Sequence, residues 1–295
     1  MVKAPESRIA PGHRDFEILS ALAEDVRRRV PARLEAELAE RALEAVEFVL
    51  DPVRTGRTLL SELDNVEKTF IGLKIEHFVR DLLDAPKGVR DLILDGYDVD
   101  VKNTIGNSWC WMIPPETIRE EGPCLLIASN ERQRESWMGL IMARAEYLGA
   151  PNRDMKRRVN STAFKDILWL AEAVSWPPNR WLGLDMARFR ELRQLPGSGA
   201  ARAATFFREN LRRPIHRRVI LALLHDQLDP MKRVRGNQGA KDLLRPQNIA
   251  LLSGNYFNAV LAQLGLPRIG NDEHIAIEAN TPLELELLRA AQQLD

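Results

Sequence analysis

The spacing of apolar positions divides the chain into stretches of helical and of strand period. From Phe16 to about Leu50, FEILSALAEDVRRRV and ARLEAELAERALEAVEFVL repeat apolar residues at three and four spacings, and Pro31 separates two helices. EAELAERALEAV also has the pattern of a dimerisation helix, although a packing helix accounts for it. VEKTFIGLKIEHFVRDLL keeps the helical period. The period then falls to two: DLILD and YDVDVK flank Asp95-Gly96, a strong signal for a two-residue hairpin turn. In the run that follows, Trp109 and Trp111 share a face if the backbone is extended, and Pro114-Pro115 ends the strand. PCLLIAS reads as a fully buried, central strand. ERQRESWMGLIMARAEYLG is predicted as an amphipathic helix, NRDMKRRVNST as a basic loop or helix start, and FKDILWLAEAVSW as a helix stopped by Pro177-Pro178. RQLPGSGAAR, 193–202, has linker composition. Beyond it, helical patterns flank Pro214, HIAIEA reads as a strand and TPLELELLRAAQQL as a last helix. Residues 1–13, with Pro5, Pro11 and Gly12, are expected to form a loose arm.

These elements predict an α/β first domain over 1–195. Its helical N-terminal part covers 14–50 and its core about 58–150, and a mainly helical second domain covers 200–295. With 295 residues, 45% hydrophobic and 28% charged, the chain has the composition of an ordinary globular protein. The formal net charge of zero hides an asymmetry. Between 201 and 270 there are twelve Lys/Arg against four Asp/Glu, so the second half is the basic one and points to nucleic acid. The two cysteines, Cys110 and Cys124, fall on different predicted elements and offer neither zinc spacing nor a disulfide framework. No signal peptide and no apolar run of membrane-spanning length stand out, so a cytoplasmic location without membrane attachment is expected. Phosphate-loop, dinucleotide and nucleophile-elbow motifs are lacking.

Chemistry concentrates at the hairpin. With Asp95 and Gly96 as the loop, Leu94 opposes Tyr97, Ile93 opposes Asp98, Leu92 opposes Val99 and Asp91 opposes Asp100. Alternation then puts Asp91, Asp98, Asp100 and Lys102 on one face, with Leu92, Leu94, Val99 and Val101 on the other. Such a charged face can be a solvated strand edge. Directly opposed like charges are destabilising, however, which argues for a divalent cation between Asp91 and Asp100 or for a different register. Glu76, in line with Gly72, Val79 and Leu83 on the preceding helix, would bring a third carboxylate inward. His77 lies about 100° further round that helix and is better placed outside the site. Hard oxygen ligands suit Mg²⁺, and a neighbouring amine can orient water and stabilise developing charge. The order Glu76, Asp91, Asp100-Val101-Lys102 resembles the PD-(D/E)xK nuclease core, which implies a mixed sheet flanked by helices.

The resemblance extends further. LDNVEKTFIGLKIE, DLILDGYDVDVK, WMIPPETI, PCLLIAS, DPMKRVRGNQGAKDLLRPQNIALL and LGLP, in this order from about 54 to 270, resemble the NaeI-type (type IIE) restriction endonucleases. This resemblance implies a homodimeric, Mg²⁺-dependent enzyme that cuts both strands of a short palindromic site in double-stranded DNA. It also implies a winged-helix, CAP-like second domain that binds a further copy of the site and activates cleavage. A cognate DNA methyltransferase is expected in the same host. Carried over by position, the catalytic residues are Glu76, Asp91, Asp100 and Lys102, with the three acids as metal ligands. Val101 stands where a member of the family has cysteine, on the core-facing side.

Candidate DNA contacts follow from residue type. Asn103, Thr104, Asn107 and Ser108 form a short polar run after Lys102, in a loop that could face a groove. Lys156, Arg157 and Arg158 are a basic run suited to phosphate. In the second domain Lys232, Arg233, Arg235, Asn237, Lys241 and Arg245 gather cations and flexible backbone at a helix start. Arg54 and Arg57 could touch phosphate or sit in a solvated turn. Two other readings use the same residues: a nicking or repair endonuclease with the same core, and a DNA-binding regulator whose carboxylates are structural.

Overall fold

The computed structural model describes residues 4–130 and 132–295. Along the chain come α1 (Phe16–Arg29), α2 (Leu34–Leu50), the single-turn α3 (Pro52–Thr55), α4 (Asn65–Leu83), β1 (Leu92–Leu94), β2 (Tyr97–Ile105), β3 (Met112–Ile113) and α5 (Pro115–Arg119). Strands β4 (Pro123–Asn130), β5 (Glu135–Met142), β6 (Leu148–Pro151), β7 (Arg157–Val159) and β8 (Leu168–Ser175) follow. The remainder is α6 (Met186–Gln194), α7 (Gly199–Arg208), β9 (Ile215–His216), α8 (Arg217–Leu223), α9 (Ala240–Leu244), β10 (Ile249–Ser253), α10 (Gly254–Gln263), β11 (Glu273–Glu278) and α11 (Pro282–Ala290).

Two compact units result. One holds the chain through Asp51 and from Thr58 to Asn179; the other takes Pro52–Arg57 and Arg180–Asp295. The stretch 193–202 therefore lies inside the second unit, between α6 and α7. Among the described residues no helix is long and apolar enough to cross a membrane.

The first unit is built on a mixed sheet of order β1-β2-β4-β5-β8, in which β2 and β4 run parallel and the other neighbours antiparallel. As the continuous apolar run implied, every residue of β4 is buried. Alternation splits its side chains between two cores. Leu125 and Ile127 join Leu22 of α1, Val46 of α2 and Ile75 of α4; Cys124, Leu126 and Ala128 join Trp109, Trp111, Trp137 and Trp169. The indole of Trp111 donates to the Ile127 carbonyl at 2.7 Å, which satisfies its polar atom inside the core. A small sheet of order β3-β7-β6 completes the aromatic side.

Helix α4 starts where Asp64 accepts from the Glu67 N–H and the Glu67 carboxylate returns a bond to the Asp64 N–H. It buries Ile71, Ile75, Val79 and Leu83, one residue per turn, so a single stripe faces the sheet. The hairpin has the expected register: Leu92 opposes Val99, Ile93 opposes Asp98 and Leu94 opposes Tyr97. Asp95 (φ 45°) and Gly96 (φ 80°) both adopt positive φ, as a primed turn requires.

Three expectations need correction. The stretch expected as an amphipathic helix before Gly149 is strand β5, because SWMGLIM has no polar face: it is buried on both sides between β4 and β8. The stretch expected as a helix ahead of Pro177 is strand β8. Trp169 and Ala171 are buried while Leu168 and Leu170 are half-exposed, a period of two at a sheet edge. The arm is not loose in its described part. Ala4 and Ile9 are buried, the Arg8 side chain pairs with Asp166, and the Arg8 N–H donates to the Lys165 carbonyl at 2.8 Å.

The second unit carries an antiparallel sheet of order β10-β11-β9. Phe207 of α7, Val219 of α8 and Leu244 of α9 share one core with Ile249 and Leu251, while Leu261 of α10 and Leu288 of α11 pack with Ala250, Leu252 and Ile277 in another. HIAIEA and the C-terminal helix thus form as expected, the helix capped by Thr281 and Glu284.

Gly139 reports on the corrected strand pairing. A Cβ at this position would lie 2.4 Å from Ile167 Cγ2 and 3.0 Å from Trp169 Cε3, both in the packed core. Gly139→Ala is expected to lower stability by about 1–3 kcal/mol in urea unfolding. An unchanged midpoint would contradict the β5–β8 packing.

Candidate active site

The hairpin turn fixes where the charges go. With Leu92, Leu94, Val99 and Val101 fully buried against the helices, the other face of β2 presents Asp98, Asp100 and Lys102. Asp100 is itself buried, at 3% exposure. One of its oxygens accepts from the Lys102 ammonium, and the other accepts from Thr117 Oγ1 of α5 at 2.9 Å. Asp91, just ahead of β1, accepts from the Val101 N–H at 2.7 Å, and its Oδ2 lies 3.9 Å from Lys102 Nζ. Lys102 thus stands between the two aspartates and supplies positive charge to both. Among the described residues no three His, Cys, Asp or Glu side chains are gathered as a ready-made metal site.

Glu76 approaches from α4. Its carboxyl is pushed up to about 7 by burial and by the charges of Asp91 and Asp100, with Lys102 opposing. Burial also raises Asp100, against the pull of Lys102 and the Thr117 hydroxyl. Lys102 is raised as well: burial works against its charge, but Asp100, Asp91 and Glu76 together outweigh it. The four groups therefore share one electrostatic site. Asp98 lines the same cleft but is already bound, because the Arg90 backbone N–H donates to its Oδ1 at 3.1 Å and the Arg90 guanidinium donates to its Oδ2 at 3.3 Å.

Asp91, Asp100, Lys102, Thr117, Glu116 and Lys156 line one cleft of about 670 Å³. Glu76 borders a neighbouring hollow with Lys68, Gly72, Asn103 and Thr104. Asn103 and Thr104 are not in a loop: they continue β2, paired with Ile127 and Ala128 of β4. Thr104 is buried and accepts from the Cys110 N–H at 3.3 Å. Asn107 and Ser108 are exposed beyond the strand end. Of the basic run, Lys156 reaches the cleft. Arg157, in β7, donates to the Gly149 and Leu148 carbonyls, and Arg158 to the Trp109 carbonyl at 2.8 Å. Those two arginines tie the small sheet together.

In the second unit Lys232, Arg233 and Asn237 are exposed around the segment that leads into α9. Arg235 and Lys241 line a separate cavity. Arg245 donates to the Gln292 and Gln293 carbonyls. Sequence reasoning passed over Thr117 and Glu116. The signal was Pro-Pro-Glu-Thr, in which Pro at the first helical position starts a helix.

A family model described as restriction endonuclease NaeI matches residues 21–282. The type II restriction enzyme NaeI of Lentzea aerocolonigenes is 32% identical over 243 residues, covering 76% of this chain and 72% of that protein. The chain belongs to the NaeI restriction endonuclease family. The match runs through both compact units, so the family likeness reaches well beyond the charged hairpin.

The raised Glu76 has a consequence for stability. Between about 4.5, its ordinary value, and about 7, the native chain holds a proton that the unfolded chain has released. Its contribution is therefore full below that window and is lost as pH rises through it. In metal-free buffer Glu76→Gln should melt higher than wild type above pH 7, with the difference vanishing near pH 4.5. A pH-independent difference would show that Glu76 is solvated.

Proposed function

We propose that this chain is a type II site-specific endonuclease that hydrolyses both strands of a short palindromic site in duplex DNA with Mg²⁺. The observation that carries this reading is the pairing of Asp91 and Asp100 with Lys102 at one hairpin, with Glu76 on α4 near enough to feel their charges, in a member of the NaeI family. A PD-(D/E)xK core is supported by the placement of those residues on α4, before β1 and on β2, within a mixed sheet.

The donor set fits a hard divalent ion: the carboxylates of Glu76, Asp91 and Asp100 would hold it. When bound, Mg²⁺ polarises the phosphoryl group and acidifies a water. The chain's own residues do the rest. Lys102, kept protonated by three acids, offers positive charge to developing negative charge on phosphate once its amine turns from Asp100. Thr117 holds Asp100 in one orientation, and the buried Val99 and Val101 hold β2 against the core. Lys156 at the cleft margin is placed for a neighbouring phosphate.

A winged-helix role for the second unit is supported by its order of α7, β9, α8, α9, β10 and β11 around an antiparallel sheet. Its surplus of Lys and Arg supports DNA as the partner. Homodimerisation, activation by a second copy of the site, a cytoplasmic location and a companion methyltransferase rest on the family likeness.

Digestion of a random duplex library with Mg²⁺ should give discrete ends at one palindrome. Asp100→Ala and Lys102→Ala should each slow cutting by about a hundredfold or more, with site binding in Ca²⁺ largely retained. Cutting at the wild-type rate by the Lys102 variant would overturn the mechanism, and nicked products only would favour a nicking enzyme.

A further inference from the structure

The second unit contains a half-open cavity of about 390 Å³ whose lining differs from that of the carboxylate cleft. Three cations face it: Arg217, Arg235 and Lys241. Among the described residues none of the three is ion-paired, whereas Arg188, Arg202 and Arg212 of the same unit each hold a carboxylate. Asp272 is the one acid in the lining. With Arg217 and Arg235 exposed, Lys241 half-buried and one acid opposite them, the concave site presents a positive field to an anionic ligand.

The rest of the lining is aromatic and amide. Tyr256 is exposed at 77%, and Phe257 stands beside it with ring centroids 6.4 Å apart. Lys241 Nζ lies 5.5 Å from the centre of the Phe257 ring. Asn255 and Asn271 add paired donors and acceptors at the rim. His274 Nδ1 is buried without a hydrogen-bond partner. Burial and the charges of Arg235 and Arg217, with Asp272 opposing, push this imidazole down to about 4, so it adds no fourth positive charge to the cavity at pH 7.

We propose that this cavity binds a single nucleotide, with its phosphate among Arg217, Arg235 and Lys241 and its base against Tyr256 and Phe257. Cations alone would suit any anion; a stacking surface and amide groups beside them add what a nucleobase needs. The volume is in the range of small-ligand sites, about 300–1,000 Å³, and a base-paired duplex does not enter it. The occupant is therefore a free nucleotide or one nucleotide turned out of a DNA strand. For the second source the inference rests on the DNA-binding reading of this unit; for the first it stands alone.

Calorimetric titration of the full chain with dAMP, dCMP, dGMP and dTMP, and separately with inorganic phosphate and a deoxynucleoside, tests the site. At least one nucleotide should bind at least tenfold more tightly than phosphate or nucleoside alone. Arg235→Ala and Tyr256→Ala should each weaken it about tenfold or more. Both side chains are exposed, so an unchanged melting temperature verifies the fold of each variant. No nucleotide binding, equal binding of phosphate alone, or unaltered binding by both variants would overturn the proposal. A duplex carrying 2-aminopurine separates the sources: a fluorescence rise lost in Tyr256→Ala identifies DNA, and no rise identifies the free nucleotide. Mg²⁺ cleavage by the wild-type chain is read in parallel. An enzyme that cuts but binds no nucleotide refutes the pocket alone, and one that binds nucleotide but never cuts refutes the nuclease reading alone.

Discussion

Asp91 and Asp100 are held around one ammonium, that of Lys102, and Glu76 feels all three charges. Like charges in a partly buried space repel by several kcal/mol, about 4 kcal/mol for a pair 4 Å apart at an effective dielectric of 20. The fold sustains this because the opposite face of the same hairpin buries Leu92, Leu94, Val99 and Val101 completely. Each such side chain contributes roughly 1.5–3 kcal/mol. The apolar face therefore outweighs the charged one, and the acids stay where the turn puts them. Lys102 relieves part of the repulsion, and Glu76 is raised first by burial and then by the charge of Asp91.

Neighbouring elements sort the acids by role. Arg90 takes Asp98 out of the group, the Val101 N–H orients Asp91, and Thr117 orients Asp100. The second unit shows the reverse imbalance: a cavity with three cations and a single acid. An excess of one sign in a concave place, at each site, marks where a charged partner is expected.

The hairpin was legible in the sequence because its turn chemistry and its two-residue period agree, and such agreement between levels leaves little room for another register. Helix α4 was legible for the same reason. Strands β5 and β8 were not. A short run such as SWMGLIM, buried on both faces, has no polar side to reveal its period, and helix and strand then look alike. Asn103 and Thr104 read as a loop because small polar residues usually do, yet parallel pairing with β4 extends β2 through them. Thr117 was invisible for a different reason: its partner Asp100 is seventeen positions away, and no local pattern records that contact. In the second unit the charge surplus was plain, but which cations lack partners depends on folding.

The central claim is that the acids around Lys102 are poised to accept a divalent cation. Manganese titration followed by electron paramagnetic resonance tests it without relying on cleavage. The wild-type chain should take up Mn²⁺ with a broadened, bound-state signal, and Asp100→Asn should leave the ion in its free form at the same concentration. Equal uptake by the two proteins would mean that the carboxylates around Lys102 are not the metal site.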